Sequence, residues 1–195
     1  MPDTSNFRDF VNDGKIGIDL TATYPSMSAG STTIAPFRHG DRVFGNNNSC
    51  YVFARAQSDI TQFQLVGFSS YADSALSSDQ TRAPILACAP ISITLAVPTG
   101  ALGANPMLGI AQISIASSYS GWVAIAGTAL RCNSVAGGQP KSPLYCSTTG
   151  GAVTSTTASS GYIAGLTLNT SATSASAPWC YANYPKIITA QTSSS

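Results

Sequence analysis

The chain has 195 residues, of which 44% are hydrophobic and only 9% are charged, and its formal net charge is +1. This length is enough for one domain with a substantial core, and soluble domains usually carry about 25% charged residues. A net charge this close to zero gives no electrostatic basis for binding nucleic acid or an anionic membrane, so we expect neither as a partner. It also leaves little charge to oppose association with other protein surfaces.

The distribution of charge argues against an enzyme. The chain contains no glutamate, its last acidic residue is Asp79, and beyond Ala83 the charged residues are Arg131, Lys141 and Lys186. General acid–base catalysis and calcium binding both depend on carboxylates brought together in a pocket. The composition therefore predicts a structural component with no catalytic residues, no cofactor and no metal site.

Residues 1–45 are predicted to form an extended N-terminal arm. Isolated aromatic residues alternate there with turn-forming segments such as Asn12-Asp13-Gly14, and most of the charged side chains lie in or just after this region. Alternating apolar residues predict one short strand over residues 15–20. Such an arm is expected to dock on a neighbouring molecule, and simple fraying of the terminus is the alternative.

The remainder of the chain is predicted to be a β-rich body, residues 46–190, followed by a mobile tail, residues 191–195. A turn at residues 46–49 precedes the first body strand, and the cleanest alternation lies at residues 91–97 between Pro90 and Pro98. A central hairpin is predicted from strand 108–115, turn 117–121 and strand 122–127. The other predicted strands are 51–54, 62–68, 143–146, 152–156, 162–168 and 186–189, and a short helix is possible at 72–77. Short strands at this spacing predict an all-β sandwich or barrel of antiparallel strands.

The single histidine, His39, is a candidate catalytic residue. It lies close in sequence to Arg38 and Asp41, but no G-x-S-x-G nucleophile motif is present, and we expect a surface or interface histidine. Arg38, Asp41 and Arg42 are expected to form an ion-pair cluster where the arm joins the body. A contact between Arg38 and Arg42 and an acidic partner surface is the alternative.

Other candidate sites give weak signals. Asp73 and Asp79 lack the spacing of a calcium loop. The cysteines are odd in number, contain no C-x-x-C pair and are expected to be buried reduced thiols: Cys50, Cys88, Cys132, Cys146 and Cys180. Trp122 and Trp179 are expected in the core rather than as platforms for sugars.

Several ordered motifs, spanning about residues 39–168, resemble the head decoration, or cement, proteins of tailed bacteriophages. The motifs are Gly40-Asp41-Arg42-Val43-Phe44-Gly45, Leu108-Gly109-Ile110-Ala111-Gln112, Tyr119-Ser120-Gly121-Trp122-Val123, Pro143-Leu144-Tyr145-Cys146-Ser147 and Gly161-Tyr162-Ile163-Ala164-Gly165. In the central hairpin, Gly121 would allow a tight turn, Trp122 would fill the space beneath it, and Gly127 would bend the strand at its end.

The resemblance implies a virion protein on the outer surface of an icosahedral head. Its partners would be the major capsid protein and other copies of itself, as trimers or dimers, and it would assemble in the host cytoplasm, in keeping with a chain start that shows no secretory signal. Strand or arm addition would supply directional hydrogen bonds, and burial of Phe7, Phe10 and Phe37 would supply affinity. The alternatives are another phage structural part, such as a fibre, spike or minor capsid protein, and a carbohydrate-binding adhesive β-domain.

Overall fold

The computed structural model describes residues 18–25, 36–71, 85–91, 107–156 and 161–188. Within these residues the protein is all-β with no helix, and it contains a closed five-stranded barrel with extra strands outside it. The predicted fold class is therefore confirmed. None of the described residues belongs to a helix long and apolar enough to cross a membrane.

Eleven strands make up the described part of the fold. In chain order they are β1 (Tyr24–Pro25), β2 (Arg42–Phe44), β3 (Cys50–Ala56), β4 (Leu65–Tyr71), β5 (Ile85–Pro90), β6 (Leu108–Ala111), β7 (Tyr119–Arg131), β8 (Tyr145–Cys146), β9 (Val153–Thr154), β10 (Tyr162–Leu168) and β11 (Trp179–Ile188).

The barrel closes through a ring of five pairings among β3, β7, β6, β4 and β5. Four pairings are antiparallel, and the ring is completed by a parallel contact between β3 and β5, at Arg55↔Ala87 and Ala56↔Cys88. Because a closed barrel leaves no unpaired strand edge within the ring, these five strands satisfy one another's backbone groups.

Alternation along the barrel strands separates two buried clusters. Each of the five strands contributes to the inner cluster, through residues that include Val52, Phe68, Cys88, Ala111 and Val123. The residues between them point outward and join a second cluster with side chains from β8 to β11. Since successive side chains in a strand point to opposite faces, one strand supplies both clusters, and a single-residue slip in register would disrupt both.

The long strand β7 connects the barrel to the outer layer. Its middle pairs with β3 and β6, and its C-terminal half pairs with β11, which in turn pairs with β10. Where β7 leaves β6, the buried side chain of Gln112 hydrogen-bonds both backbone groups of Arg131, at 3.0 and 3.2 Å. The Gln112 amide thus takes the place of a strand neighbour at the end of β7.

The described parts of the predicted arm pack on the body. Leu20 and Val43 belong to the outer cluster, and β2 pairs with β3 across the expected boundary at residue 45. The predicted turn at 46–49 is confirmed, with Asn47 and Asn48 both at positive φ and a hydrogen bond from the Ser49 amide to the Asn46 carbonyl. Two left-handed central residues are typical of a type I′ hairpin turn.

Several predicted strands were misplaced. The central hairpin is present, but β6 is shorter than expected because residues beyond it pair instead with Ile60, through Ile115. Of the predicted strand 15–20, residues 18–20 are described and do not form a strand. Of the predicted strand 91–97, Ile91 is described, and it follows β5 rather than beginning a strand. The other residues of these two segments, the predicted helix 72–77 and the tail lie outside the described residues. The strand at 186–189 is the end of the longer β11.

Gly109 on β6 provides a test of the barrel interior. A Cβ atom at this position would lie 2.6 Å from Val123 Cγ1 and 2.9 Å from the Phe68 ring. We therefore expect Gly109→Ala to lower the free energy of unfolding by about 1–3 kcal/mol through overpacking, measured by urea denaturation. Gly150→Ala is the matched control, since a Cβ there meets nothing within 4 Å. Equal stability of the two variants would contradict the packed interior.

Candidate functional site

An aromatic cluster ties the N-terminal segment to the outside of the barrel. Phe37 lies 5.0 Å from Trp122 and 5.5 Å from Phe53, measured between ring centroids, and Tyr24 lies 5.9 Å from both Phe37 and Phe53. The rings meet edge to face, an arrangement that adds to simple apolar burial. Trp122 is buried, as expected for a core aromatic residue.

His39 belongs to the same region but is not arranged for catalysis. Its Nε2 lies 2.8 Å from the Ser120 hydroxyl, and its ring stacks on Phe53. A serine nucleophile must be reachable by substrate, whereas Ser120 is only 1% exposed. The pair therefore acts as a clamp between residues 36–41 and β7. Among the described residues, no group of three or more His, Cys, Asp or Glu side chains could hold a metal ion.

The five residues predicted to contact a partner have different positions. Phe7 and Phe10 lie outside the described residues, whereas Phe37 is half-buried in the aromatic cluster. Arg38 and Arg42 are exposed. Where the arm joins the body, the Arg38 backbone amide donates a hydrogen bond to the Asp41 carboxylate at 3.0 Å, and the Asp41 amide donates one to the Arg38 carbonyl at 2.9 Å.

The three residues predicted to shape the central hairpin all lie inside β7. Gly121 pairs with Ala54, and a Cβ there would approach Ile115 Cδ1 to 2.9 Å, so this glycine permits close packing and does not form the turn. Gly127 faces Ala182 of β11 near a register shift and precedes the end of β7. The strand continues past Gly127 because β11 follows β6 as its neighbour on the side opposite β3.

All five cysteines are buried, as predicted, and no disulfide joins them. Burial raises the pKa of Cys88 and Cys180 to about 12 and that of Cys146 to about 11. The pKa of Cys132 is also raised, first by burial and then by its neighbours Cys180 and Cys146. Because the thiolate is the reactive form, these side chains are unsuited to nucleophilic or redox roles in the folded protein.

The most distinctive surface feature is a groove between the β2–β3 hairpin and β11, which we call the Tyr184 groove. Its volume is about 430 Å³. The residues that line it are Phe44, Gly45, Asn48, Ser49, Cys50, Ala126, Tyr181, Ala182, Asn183 and Tyr184. None of these carries a formal charge. A second cavity, of about 400 Å³, has no aromatic side chain in its lining.

A β-bulge shapes the β11 wall of this groove. The pairing of β10 with β11 shifts between Ala164 and Leu166, and Tyr184 on the bulged strand has φ +48°. Opposite it, Gly165 has φ +78°, and a Cβ there would lie 2.5 Å from the Asn183 carbonyl oxygen. Bulges redirect side chains, and bulky residues with positive φ occur mainly where the surroundings enforce them.

The side chain of Tyr184 is 43% exposed and contacts the floor of the groove. Burial raises its pKa, the hydrogen-bonded neighbour Cys50 adds to the rise, and Arg42 opposes it. Phe44 and Tyr181 also remain exposed, at 50% and 40%. Three aromatic rings therefore border one uncharged depression.

Trp179 is not in the core, contrary to expectation. It is 47% exposed at the start of β11, and the Arg131 guanidinium lies between it and Phe63, 5.9 and 4.7 Å from the two ring centroids. The available sequence signal was the alternation of Trp179 and Tyr181 with Cys180, which predicts a strand with one aromatic face. The groove itself joins residues 44–50 to residues 181–184, and no local pattern could have paired them.

Comparisons of the chain with protein-family models, curated proteins and solved structures found no match.

Phe37 distinguishes an intramolecular role from a partner contact. Because its ring packs between Trp122 and Phe53, we expect Phe37→Ala to lower the free energy of unfolding of the isolated protein by about 2 kcal/mol. The exposed Arg38→Ala should change it by less than about 0.5 kcal/mol. Chemical denaturation of both variants measures the difference, and an unchanged Phe37→Ala protein would show that the ring is free to serve a partner.

The buried thiols predict a loss of stability in alkali. An unfolded cysteine titrates near its ordinary pKa of 9.0, whereas folded Cys88 holds its proton to about pH 12, so the unfolded state loses protons first as the pH rises. Between pH 8 and pH 10 this one thiol should lower the free energy of unfolding by about 1.4 kcal/mol. Wild type should therefore lose about that much more than Cys88→Ala over this interval, in urea denaturation at both pH values. Equal losses would mean that Cys88 titrates normally in the folded protein.

Proposed function

We propose that this protein is a structural subunit of a virion, of the decoration type, that binds the outside of an icosahedral head. The mechanism is binding alone, between the major capsid protein and repeated copies of this chain. The proposal is supported by the motif resemblance, by the barrel fold and by the clamp geometry of the single histidine, whose serine neighbour is buried.

The observation that carries the proposal is the exposed apolar surface of the outer strands. Large aromatic side chains are 39–50% exposed at Phe44, Tyr119, Tyr162, Trp179, Tyr181 and Tyr184. Four of these six residues lie on β10 and β11. Protein interfaces are enriched in aromatic residues and depleted of charged ones at their centres, since charges are costly to desolvate. The surface of β10 and β11 has that composition, with Lys186 the one charged residue on the two strands.

Strand β2 offers a second mode of attachment. It is at one end of the sheet order, and among the described residues it pairs with β3 alone. An edge strand presents backbone groups that can accept a further strand from another chain. Many weak copies of such contacts, repeated over a symmetric shell, would reinforce one another.

Quantitative mass spectrometry of purified particles tests the proposal. A decoration subunit should be present in a copy number comparable to that of the major shell protein. A few copies per particle would indicate a fibre, spike or minor capsid part, and absence from particles would contradict a virion role.

Particles lacking the protein allow the attachment surface to be located. Purified wild type added back should saturate them, whereas Trp179→Ala should reduce occupancy at a given concentration by at least about tenfold, as hot-spot aromatic residues do. Tyr119→Ala is the control, because Tyr119 has a similar exposure of 39% but lies far from Trp179. Trp179 pairs with Arg131 at the end of β7, whereas Tyr119 is the first residue of that strand.

A further inference from the structure

The Tyr184 groove has walls and a floor of different chemistry. Phe44 projects from the edge strand β2, and Tyr181 and Tyr184 project from β11, so aromatic rings stand on both sides. The floor is made of small side chains, including Ala126, which is 7% exposed. A floor of small residues between ring-bearing walls leaves room for a flat ligand to lie against the rings.

Hydrogen-bonding groups accompany these rings. Asn48 and Asn183 contribute amides to the lining, and each primary amide offers both donors and an acceptor. A purely apolar ligand would leave these amides without partners on burial, at a cost in free energy. The groove therefore suits a ligand that has an apolar face and a rim of polar groups.

The absence of charge in the lining narrows the class of ligand further. Phosphate and carboxylate ligands are bound by Arg, Lys or helix N-termini, and the lining itself contains none of these; Arg42 acts on Tyr184 from outside the lining. Cationic ligands would require carboxylates, which the lining also lacks. A neutral ligand remains, in a volume within the usual range of small-molecule sites.

Two residues of this lining have unfavourable local features. The Ser49 hydroxyl is buried, with the residue 2% exposed, and has no hydrogen-bond partner among the described residues. Tyr184 adopts φ +48°, which is unfavourable for a bulky side chain. Both residues line the same groove, and buried unpaired polar groups and strained residues are characteristic of functional sites.

We propose that the Tyr184 groove is a binding site for a neutral saccharide. Pyranose rings present an apolar C–H face, which would stack on Tyr181 and Tyr184, and a rim of hydroxyl groups, which would hydrogen-bond to Asn48 and Asn183. The proposal is separate from the virion role: it concerns the isolated subunit, and either one can fail while the other stands.

Saturation-transfer NMR on the purified full-length protein tests the site directly. The probes are maltohexaose, mannohexaose and chitohexaose, each titrated to about 10 mM, because shallow sites of this kind bind with affinities near the millimolar range. We expect at least one neutral probe to bind. Failure of all three would overturn the proposal, as would stronger binding of the anionic probe 3′-sialyllactose.

Three variants assign the binding to this groove. Tyr181→Ala and Tyr184→Asn should each weaken binding of the probe by about fivefold or more through loss of an aromatic wall. Asparagine is chosen at position 184 because it tolerates positive φ, so the folded barrel is retained. Tyr162→Ala, which removes a tyrosine of comparable exposure outside the lining, should bind like wild type.

Equal binding by all variants would place the saccharide elsewhere, and a change of oligomeric state in Tyr184→Asn, seen by sedimentation, would show that a second copy of the chain occupies the groove.

Discussion

Strand β7 pairs with β1, β3, β6 and β11, and the rest of the described fold depends on its remaining continuous over Tyr119–Arg131. Its middle closes the barrel, and its C-terminal half supports the outer strands. Because residues on alternate sides of β7 enter different clusters, its register fixes both the barrel interior and the outer core at once. Gly121 allows the Ile115 side chain to pack closely against β7, and Gly127 lies where β7 pairs with β11. A strand that pairs with four neighbours requires both.

The barrel is narrow, and its contents follow from that. Five strands enclose little space, so many inward positions hold small residues such as Ala54, Ala111 and Cys88, with Gly109 where Val123 and Phe68 approach most closely. The larger side chains Phe53 and Trp122 point outward instead and are covered by the N-terminal aromatic residues. Phe37 therefore helps to bury the outer face of the barrel as a second core. The described portion of the arm is a structural element of the domain.

A surface with few charges and several exposed rings has consequences for binding. Charged groups normally keep aromatic surfaces apart, and this chain has few after Asp79. The same composition serves both proposals, since an uncharged aromatic face can bury against a protein shell, and an uncharged aromatic groove with amides can hold a neutral sugar. The two surfaces overlap on β11, because Tyr181 and Tyr184 are among its exposed aromatic residues and also line the groove, whereas Trp179 lies at the start of β11, outside the lining.

The amino-acid sequence by itself determined the all-β class, the turn at residues 46–49, strand β10 and the buried state of the cysteines. Period-two alternation predicts strands, consecutive asparagines predict a turn, and an odd number of cysteines argues against a disulfide framework. All of these signals are local or compositional. It did not reveal β5, because Pro90 indicated that a strand begins at residue 91, whereas β5 ends at Pro90. It also did not reveal the full length of β11, which contains Pro185. The long-range pairings decided these elements, since Pro90 is the last residue of β5 and Pro185 falls beside the bulge, where the ladder is already irregular. Only the tertiary structure could place Phe37 inside the molecule, Trp179 outside it and Phe44 across a groove from Tyr184. Burial and proximity between residues more than a hundred positions apart depend on barrel closure, which no local pattern encodes.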